Sequence, residues 1–242
     1  MPSENADSSR FTGCFTGSCA ENDRQVIRTP ETVSFDLGFE PTWHKCRTCD
    51  NEHALVDAVC WDCTQRVKAE RDRHRRIDES LATIPDGMQW ATLDAPELAQ
   101  RVANGHEMLL LARRSLRSVR NLFVGHAGKG KTSLACAMFR AFIETTERRA
   151  VFVPSVRLSG GRFELDESFL TAALVLIDDV GMERQQANNM LPELVYERHA
   201  AGLATWATTG LTSPQLTDRY GDGIVRRLCE QATIFKVGKG KQ

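Results

Sequence analysis

The sequence lacks any long apolar run. A membrane span needs roughly 18 consecutive apolar residues, and the longest stretches here are short, such as Ala172 to Ile177, which excludes a transmembrane helix. The opening residues, MPSENADSSR, have no apolar centre of the kind a secretory signal carries, so the expected location is the cytoplasm. Excess charge is also missing. The 31 Lys and Arg stand against 32 Asp and Glu for a formal net charge of −1, which excludes a uniformly basic, histone-like binder but leaves room for local basic patches. Aromatic residues are sparse at 7%, with only two Tyr, so no extended platform for stacking bases is evident. There is no internal repeat. What is present is an ordinary soluble composition, 41% hydrophobic and 26% charged over 242 residues. That length suffices for one large domain, or for a compact domain with a smaller appendage.

Cysteine is the residue in relative abundance. Eight occur, at 14, 19, 46, 49, 60, 63, 136 and 229. A disulfide framework suits a small secreted domain, and secretion is not expected here. Cys46-x-x-Cys49 and Cys60-x-x-Cys63 lie 10 residues apart. Each pair can present two thiolates to one face of a metal, and two such knuckles close a tetrahedron around structural Zn²⁺. A redox site of the thioredoxin kind needs one pair in a βαβ setting, which is absent. His44 and His53 are nearby but not needed as ligands. Cys14 and Cys19 read as untethered thiols in a tail, and Cys136 and Cys229 as core residues in apolar surroundings.

Residues 1–40 are polar, without sustained periodicity, and read as a disordered tail. Residues 41–78 hold the cysteines and a charged, Gly- and Pro-free stretch, TQRVKAERDRHRRIDES, expected as a linker helix. IPDG at 84–87 is a turn signal near the start of a second unit, residues 79–242. There the pattern alternates between helices and strands. Helices are expected over Pro96 to Val119, Thr132 to Glu147 and Asn188 to Ala200. Strands are expected over Asn121 to Val124, Val151 to Val153, Ala173 to Ile177, Ala204 to Thr209 and Ala232 to Val237. This alternation implies an α/β fold with a parallel sheet covered on both faces.

The chemistry concentrates after the first of these strands. Gly125-His126-Ala127-Gly128-Lys129-Gly130-Lys131-Thr132 satisfies G-x-x-x-x-G-K-[ST] between strand NLFV and helix TSLACAMFRAF. Glycines there let backbone N–H groups curl around phosphate oxygens, and the helix N-terminus, where Ser133 follows, adds its positive dipole end. Lys131 is expected on the β- and γ-phosphates of ATP and Thr132 on Mg²⁺. Asp178 ends the apolar strand ALVLI, 47 residues after Lys131, and is expected beside the same Mg²⁺. Asp179 is the candidate general base for the attacking water, its short side chain implying slow turnover.

These segments, GHAGKGKTSLACA, LVLIDDVG, YERHAAGLATWATTGLTSPQL and DRYGDGIVRRL, resemble the AAA+ module of DnaC-type helicase loaders and the related IstB transposition ATPases over about residues 80–237. The resemblance implies a P-loop AAA+ module with an N-terminal zinc-binding segment. Thr208, Thr209 and Gly210 then occupy the sensor-1 segment; with Gly where Asn is usual, the γ-phosphate contact comes from Thr209 or Thr208, or is missing. Arg227 matches the arginine finger that completes a neighbouring subunit's site, with Arg226 as the alternative, implying a homo-oligomer. Only five residues follow Val237, which leads to the expectation of a lidless module. The implied function is loading a hexameric replicative DNA helicase onto single-stranded DNA. Target selection in transposition, or a zinc-stabilised nucleotide switch with negligible turnover, are the alternatives. Basic segments fit a nucleic-acid partner: residues 64–76 hold six basic and two acidic residues, and 226–242 hold five and one. Arg113, Arg117 and Arg120 are expected on one helical face.

Overall fold

The computed structural model describes residues 43–49, 52–54, 60–159, 165–184 and 189–238. The expected tail over 1–40, with Cys14 and Cys19, lies outside them, as do the side chains of His44 and His53. The described residues start with a small antiparallel pair, β1 (Trp43–Lys45) and β2 (Glu52–Ala54), in which Trp43 pairs with Ala54. A 21-residue helix, α1 (Trp61–Leu81), follows. It runs through the expected boundary at 78/79, and its C-terminal part docks on the second unit.

Next come α2 (Pro96–Arg101), α3 (Gly105–Arg114), β3 (Arg120–Val124), α4 (Lys131–Thr146) and β4 (Ala150–Pro154). They are followed by α5 (Glu167–Thr171), β5 (Leu174–Val180), α6 (Leu191–Ala200) and β6 (Ala204–Thr209). The last elements are α7 (Ser213–Tyr220), α8 (Asp222–Cys229) and β7 (Thr233–Lys236). β3 to β7 form one five-stranded sheet in the order β4-β5-β6-β3-β7, with every pairing parallel. β6 therefore separates the strand that leads into the Gly-rich loop from the strand that ends in the two acids. Both deliver their C-terminal ends to the same sheet edge, where open α/β folds bind ligands.

Period-two alternation sorts the core into two layers. Phe123, Leu174, Leu176, Trp206 and Phe235 point to the α4 side, against Leu134, Met138, Phe139 and Phe142. Leu122, Val175, Ile177 and Ala207 point to the other side, against Leu191, Leu194 and Val195 of α6 and Leu216, Val225 and Leu228 of α7 and α8. The edge strand β4 is covered rather than open. Ser80 Oγ accepts from Ala150 N at 3.0 Å and Thr83 Oγ1 from Phe152 N at 3.0 Å, so the end of α1 satisfies amides that would otherwise template another strand.

The expected single helix over Pro96–Val119 is two helices. Asn104 takes φ +58 at the break, and a Cβ on Gly105 would stand 2.0 Å from Ala99 O, so the Asn-Gly pair is a tight turn between packed helices. In consequence Arg113, Arg117 and Arg120 do not share a helical face: the first lies on α3, the second beyond its end and the third on β3. No helix among the described residues is long and apolar enough to cross a membrane.

Candidate nucleotide site and metal centre

The Gly-rich loop is shaped by what surrounds it. A Cβ on Gly125 would lie 1.9 Å from Val237 O, because β7 ends directly over the loop. Gly130 has φ +87, and a Cβ there would lie 2.7 Å from Arg101 O; the turn after α2 rests on the loop, with Ala103 N donating to Lys129 O at 3.2 Å. Neither position accepts a side chain without moving backbone. α4 starts at Lys131, only 6% exposed, whose Nζ donates to His126 O at 3.0 Å. The ammonium is thus folded back on the loop, close to where phosphate oxygens would sit.

The two halves of the site meet through hydrogen bonds. Thr132 Oγ1 donates to Asp178 Oδ1 at 2.9 Å, and Thr208 Oγ1 donates to the same oxygen at 2.6 Å. Burial pushes the Asp178 carboxyl up from its ordinary range and Asp179 adds to this; Thr208, Thr132 and Lys131 pull it back. Between Ile177 and Val180 the β5–β6 pairing shifts register. This bulge falls on the two acids, where an extra residue re-aims side chains. Asp179 takes φ +54, exposed at the edge of a cleft of about 660 Å³ lined also by Arg101, Gly128, Gly130, Lys131 and Thr132. A non-Gly residue in that conformation costs about 1–3 kcal/mol and needs support. It has three contacts: Asp179 N donates to Thr208 Oγ1 at 2.8 Å, Ser155 Oγ donates to Asp179 O at 2.6 Å, and Met182 N donates to the same carbonyl at 3.0 Å.

Of the other expected contacts, Ala127 and Ser133 also line this cleft. Ser133 directs its hydroxyl to Met88 Sδ at 3.6 Å. Gly125 and His126 line a neighbouring, more apolar cavity instead, and the Lys129 side chain lies beside Gly238. Thr209 differs from the expectation that it faces the nucleotide. It is fully buried; its hydroxyl donates to Val180 O at 2.7 Å and accepts from Leu211 N at 3.1 Å, leaving nothing for a phosphate. Thr208 is the sensor-segment residue that touches an acid. Arg227 Nη1 donates to Gly223 O at 2.8 Å, and its guanidinium stacks 4.7 Å over Tyr196, while Arg226 is exposed and 3.7 Å from Glu230.

Sequence reasoning missed three supports. Ser155 holds the acidic turn from β4. Glu183, buried two residues past Gly181, accepts from Gly181 N at 3.0 Å, Arg219 Nε at 3.0 Å and the Tyr220 hydroxyl, tying the turn to α7. Burial opposes ionisation of Glu183, but bonds from Tyr220, backbone amides and Arg219 outweigh it and hold the carboxyl low. Arg198, fully buried, donates to Phe169 O (2.6 Å), Ala172 O (3.0 Å), Ala204 O (2.5 Å) and Thr205 Oγ1 (3.1 Å); burial draws it down to about 10. Cys136 lies in the α4 core and Cys229 is half-buried against the other layer, as the apolar context suggested.

The four knuckle cysteines converge. Their Sγ atoms all lie within 4.8 Å of one another, with Cys46, Cys60 and Cys63 buried. Zn–S bonds of about 2.3 Å in a tetrahedron require S···S separations of about 3.8 Å, and Cys49 Sγ and Cys60 Sγ are already 3.9 Å apart. Cys46 Sγ accepts from Cys60 N and Thr48 N, both at 3.4 Å, and these amides lower its thiol to about 5. Contact with Cys60, then burial, pushes Cys63 up to about 12. Cys60 and Cys63 sit at the N-terminus of α1. The residues fit a structural zinc ion.

The assembled cleft and sheet order define an α/β module with a Gly-rich loop at the C-terminal edge of a parallel sheet. No family model and no curated protein sequence matches the chain. Solved structures do. The DnaC helicase loader superposes with a TM-score of 0.54 at 21% identity, covering 64% of this chain and 100% of that one. DnaI superposes with a TM-score of 0.52 at 17% identity, covering 64% and 92%. The fold is therefore the AAA+ fold of these proteins, as the sequence resemblance implied.

Proposed function

We propose that the protein is an ATP-dependent loader of a hexameric replicative DNA helicase onto single-stranded DNA, built from a zinc-binding segment over 41–78 and an AAA+ ATPase unit over 79–242. The observation that carries the reading is the Thr132–Asp178–Thr208 hydrogen-bonded set beside Lys131 and Asp179, in a fold that matches the whole of the DnaC helicase loader chain. Lys131 would exchange its bond to His126 O for the β- and γ-phosphates of ATP. Thr132 and Asp178 would hold Mg²⁺, which neutralises phosphate charge when bound. Asp179, whose backbone is held by Thr208 and Ser155 at the edge of the cleft, would take a proton from water. Arg226 or Arg227 would reach a neighbouring subunit; Arg226 is the freer of the two, since Arg227 is occupied by Gly223 and Tyr196. Cys46, Cys49, Cys60 and Cys63 would hold Zn²⁺ as a structural ion that stabilises a segment too small for its own core.

The test is nucleotide binding and hydrolysis by Lys131→Ala and Asp179→Asn. The first should lose ATP affinity, and the second should keep ATP while losing turnover. Full ATP affinity in Lys131→Ala would overturn the site assignment. Capture of a hexameric helicase separates a loader from a transposition ATPase, which would capture a transposase instead.

A further inference from the structure

The outer face of α1 plays no part in the nucleotide cleft. Trp61 is its first residue, directly after Cys60, and is 74% exposed. From it, positions 61, 64, 68, 71 and 75 recur at spacings of three and four, the spacing that puts side chains in one stripe along a helix. That stripe reads Trp61, Thr64, Lys68, Arg71, Arg75, all exposed. The packing faces lie elsewhere. Cys63 turns into the cysteine cluster, Ile77 and Leu81 pack on the main core, and Arg73 pairs with Glu70 and Glu147. Arg75 is within 3.0 Å of Asp72 and 3.8 Å of Glu79. Among the described residues, Lys68 and Arg71 have no carboxylate partner.

We propose that this stripe is a track for a single-stranded nucleic acid, with Trp61 stacking on one base and Lys68, Arg71 and Arg75 following the phosphates. At 1.5 Å per residue the stripe spans about 21 Å, or about six nucleotides of stacked strand at 3.4 Å each. A flat indole offered to solvent suits an unpaired base, whose face is free, and not a duplex, whose bases already stack on one another. Lys68 and Arg71 offer charge complementary to a phosphodiester backbone, and Arg75 would exchange Asp72 and Glu79 for a phosphate. A protein partner is disfavoured because the stripe contains one aromatic and no aliphatic side chain to form a dry interface centre. Val67, the exposed large aliphatic side chain on α1, is not one of its positions. The zinc cluster fixes the position of Trp61 by holding Cys60 and Cys63 on either side. The proposal rests on the loader reading only in taking a single strand as partner.

The experiment uses the full-length, zinc-loaded protein and a fluorescein-labelled oligo(dT) of about twenty nucleotides, read by anisotropy over a range of salt. Trp61→Ala should weaken binding about tenfold through the loss of one stacked base, and Trp61→Phe should stay within about threefold. Lys68→Ala with Arg71→Ala should make the salt dependence shallower by about 1.4 in log–log slope, about 0.7 per lost phosphate contact. Each variant should keep its zinc and its affinity for an ATP analogue. Unchanged affinity and slope in both variants would overturn the proposal. So would equal losses on duplex of the same length, which would mean charge without stacking. A double variant that keeps oligo(dT) but loses a captured helicase would also overturn it and make the stripe a protein interface.

Discussion

Replacing Thr208 by Val tests the wiring of the site with little change of shape. The two side chains have similar volume, and Thr208 is fully buried, so no cavity opens and only the hydroxyl is lost. That hydroxyl makes two bonds, to Asp178 Oδ1 at 2.6 Å and from Asp179 N at 2.8 Å. The first involves a carboxylate and is in the range of about 1.5–3 kcal/mol; the second, between neutral groups, is about 0.5–1.5 kcal/mol. The sum is about 2–4 kcal/mol, which for a unit of this size lowers Tm by roughly 5–15 °C. Function should suffer separately, because Asp179 loses one of the three contacts that hold its positive-φ backbone and Asp178 loses a donor that favours its ionised form. We expect turnover to fall about ten- to hundredfold, each tenfold being about 1.4 kcal/mol of transition-state stabilisation. Thr209→Val is the control. Its hydroxyl is also buried and doubly bonded, to Val180 O and Leu211 N, so it should destabilise the fold by about 1–3 kcal/mol yet leave turnover of the folded fraction within about threefold. Differential scanning fluorimetry and steady-state phosphate release measure the two effects. Normal turnover in Thr208→Val with loss in Thr209→Val would refute the assignment of Thr208 as the residue that couples the acids.

Arg198→Leu should cost about 3–5 kcal/mol in urea unfolding, since three carbonyls and the Thr205 hydroxyl lose a buried partner. Arg198→Lys, which reaches fewer of them, should cost about half as much. The folded-state pKa of Asp178 is raised above its unfolded value by burial; its stabilising contribution to the empty fold is therefore present at acid pH and lost as pH rises through that folded value. Mg·ATP needs the ionised carboxylate, so its affinity should fall on acidification at a higher pH than an ordinary Asp would cause, and Asp178→Asn should bind weakly with that dependence gone. Cys60→Ser should reduce zinc from about one ion per chain to near zero by mass spectrometry, while leaving the ATP affinity of the unit beyond α1 unchanged.

Local signals carried much of the architecture, because they are written in short windows. The strand–loop–helix around Gly125 to Thr132, the apolar strand ending in Asp178 and Asp179, and the paired C-x-x-C spacings each encode their geometry within a few residues. Long-range partners were not legible. Nothing near Ser80 or Thr83 in the sequence indicates that their hydroxyls cap β4, about seventy residues later. Nor does YERHAAG reveal that Arg198 is a buried tie between α5, α6 and β6. Two misses had readable signals. Asn104-Gly105 is a turn dipeptide inside an apparent helical period, and its break removes the shared face of Arg113, Arg117 and Arg120. In β6, alternation puts Thr208 on the face of Trp206, which packs toward α4 and the Gly-rich loop, and Thr209 on the opposite face. Period two therefore already favours Thr208 as the partner of Asp178.

The central claim is that ATP in this cleft controls the grip on a replicative helicase. It is tested most directly by pull-down of a hexameric helicase from the same genome by the zinc-loaded protein, with ATP, without nucleotide, and with Lys131→Ala. The account predicts stable capture whose strength changes with ATP in the wild type and is indifferent to ATP in Lys131→Ala. No capture under any condition, or capture by the wild type that ignores ATP although ATP binds, would contradict it.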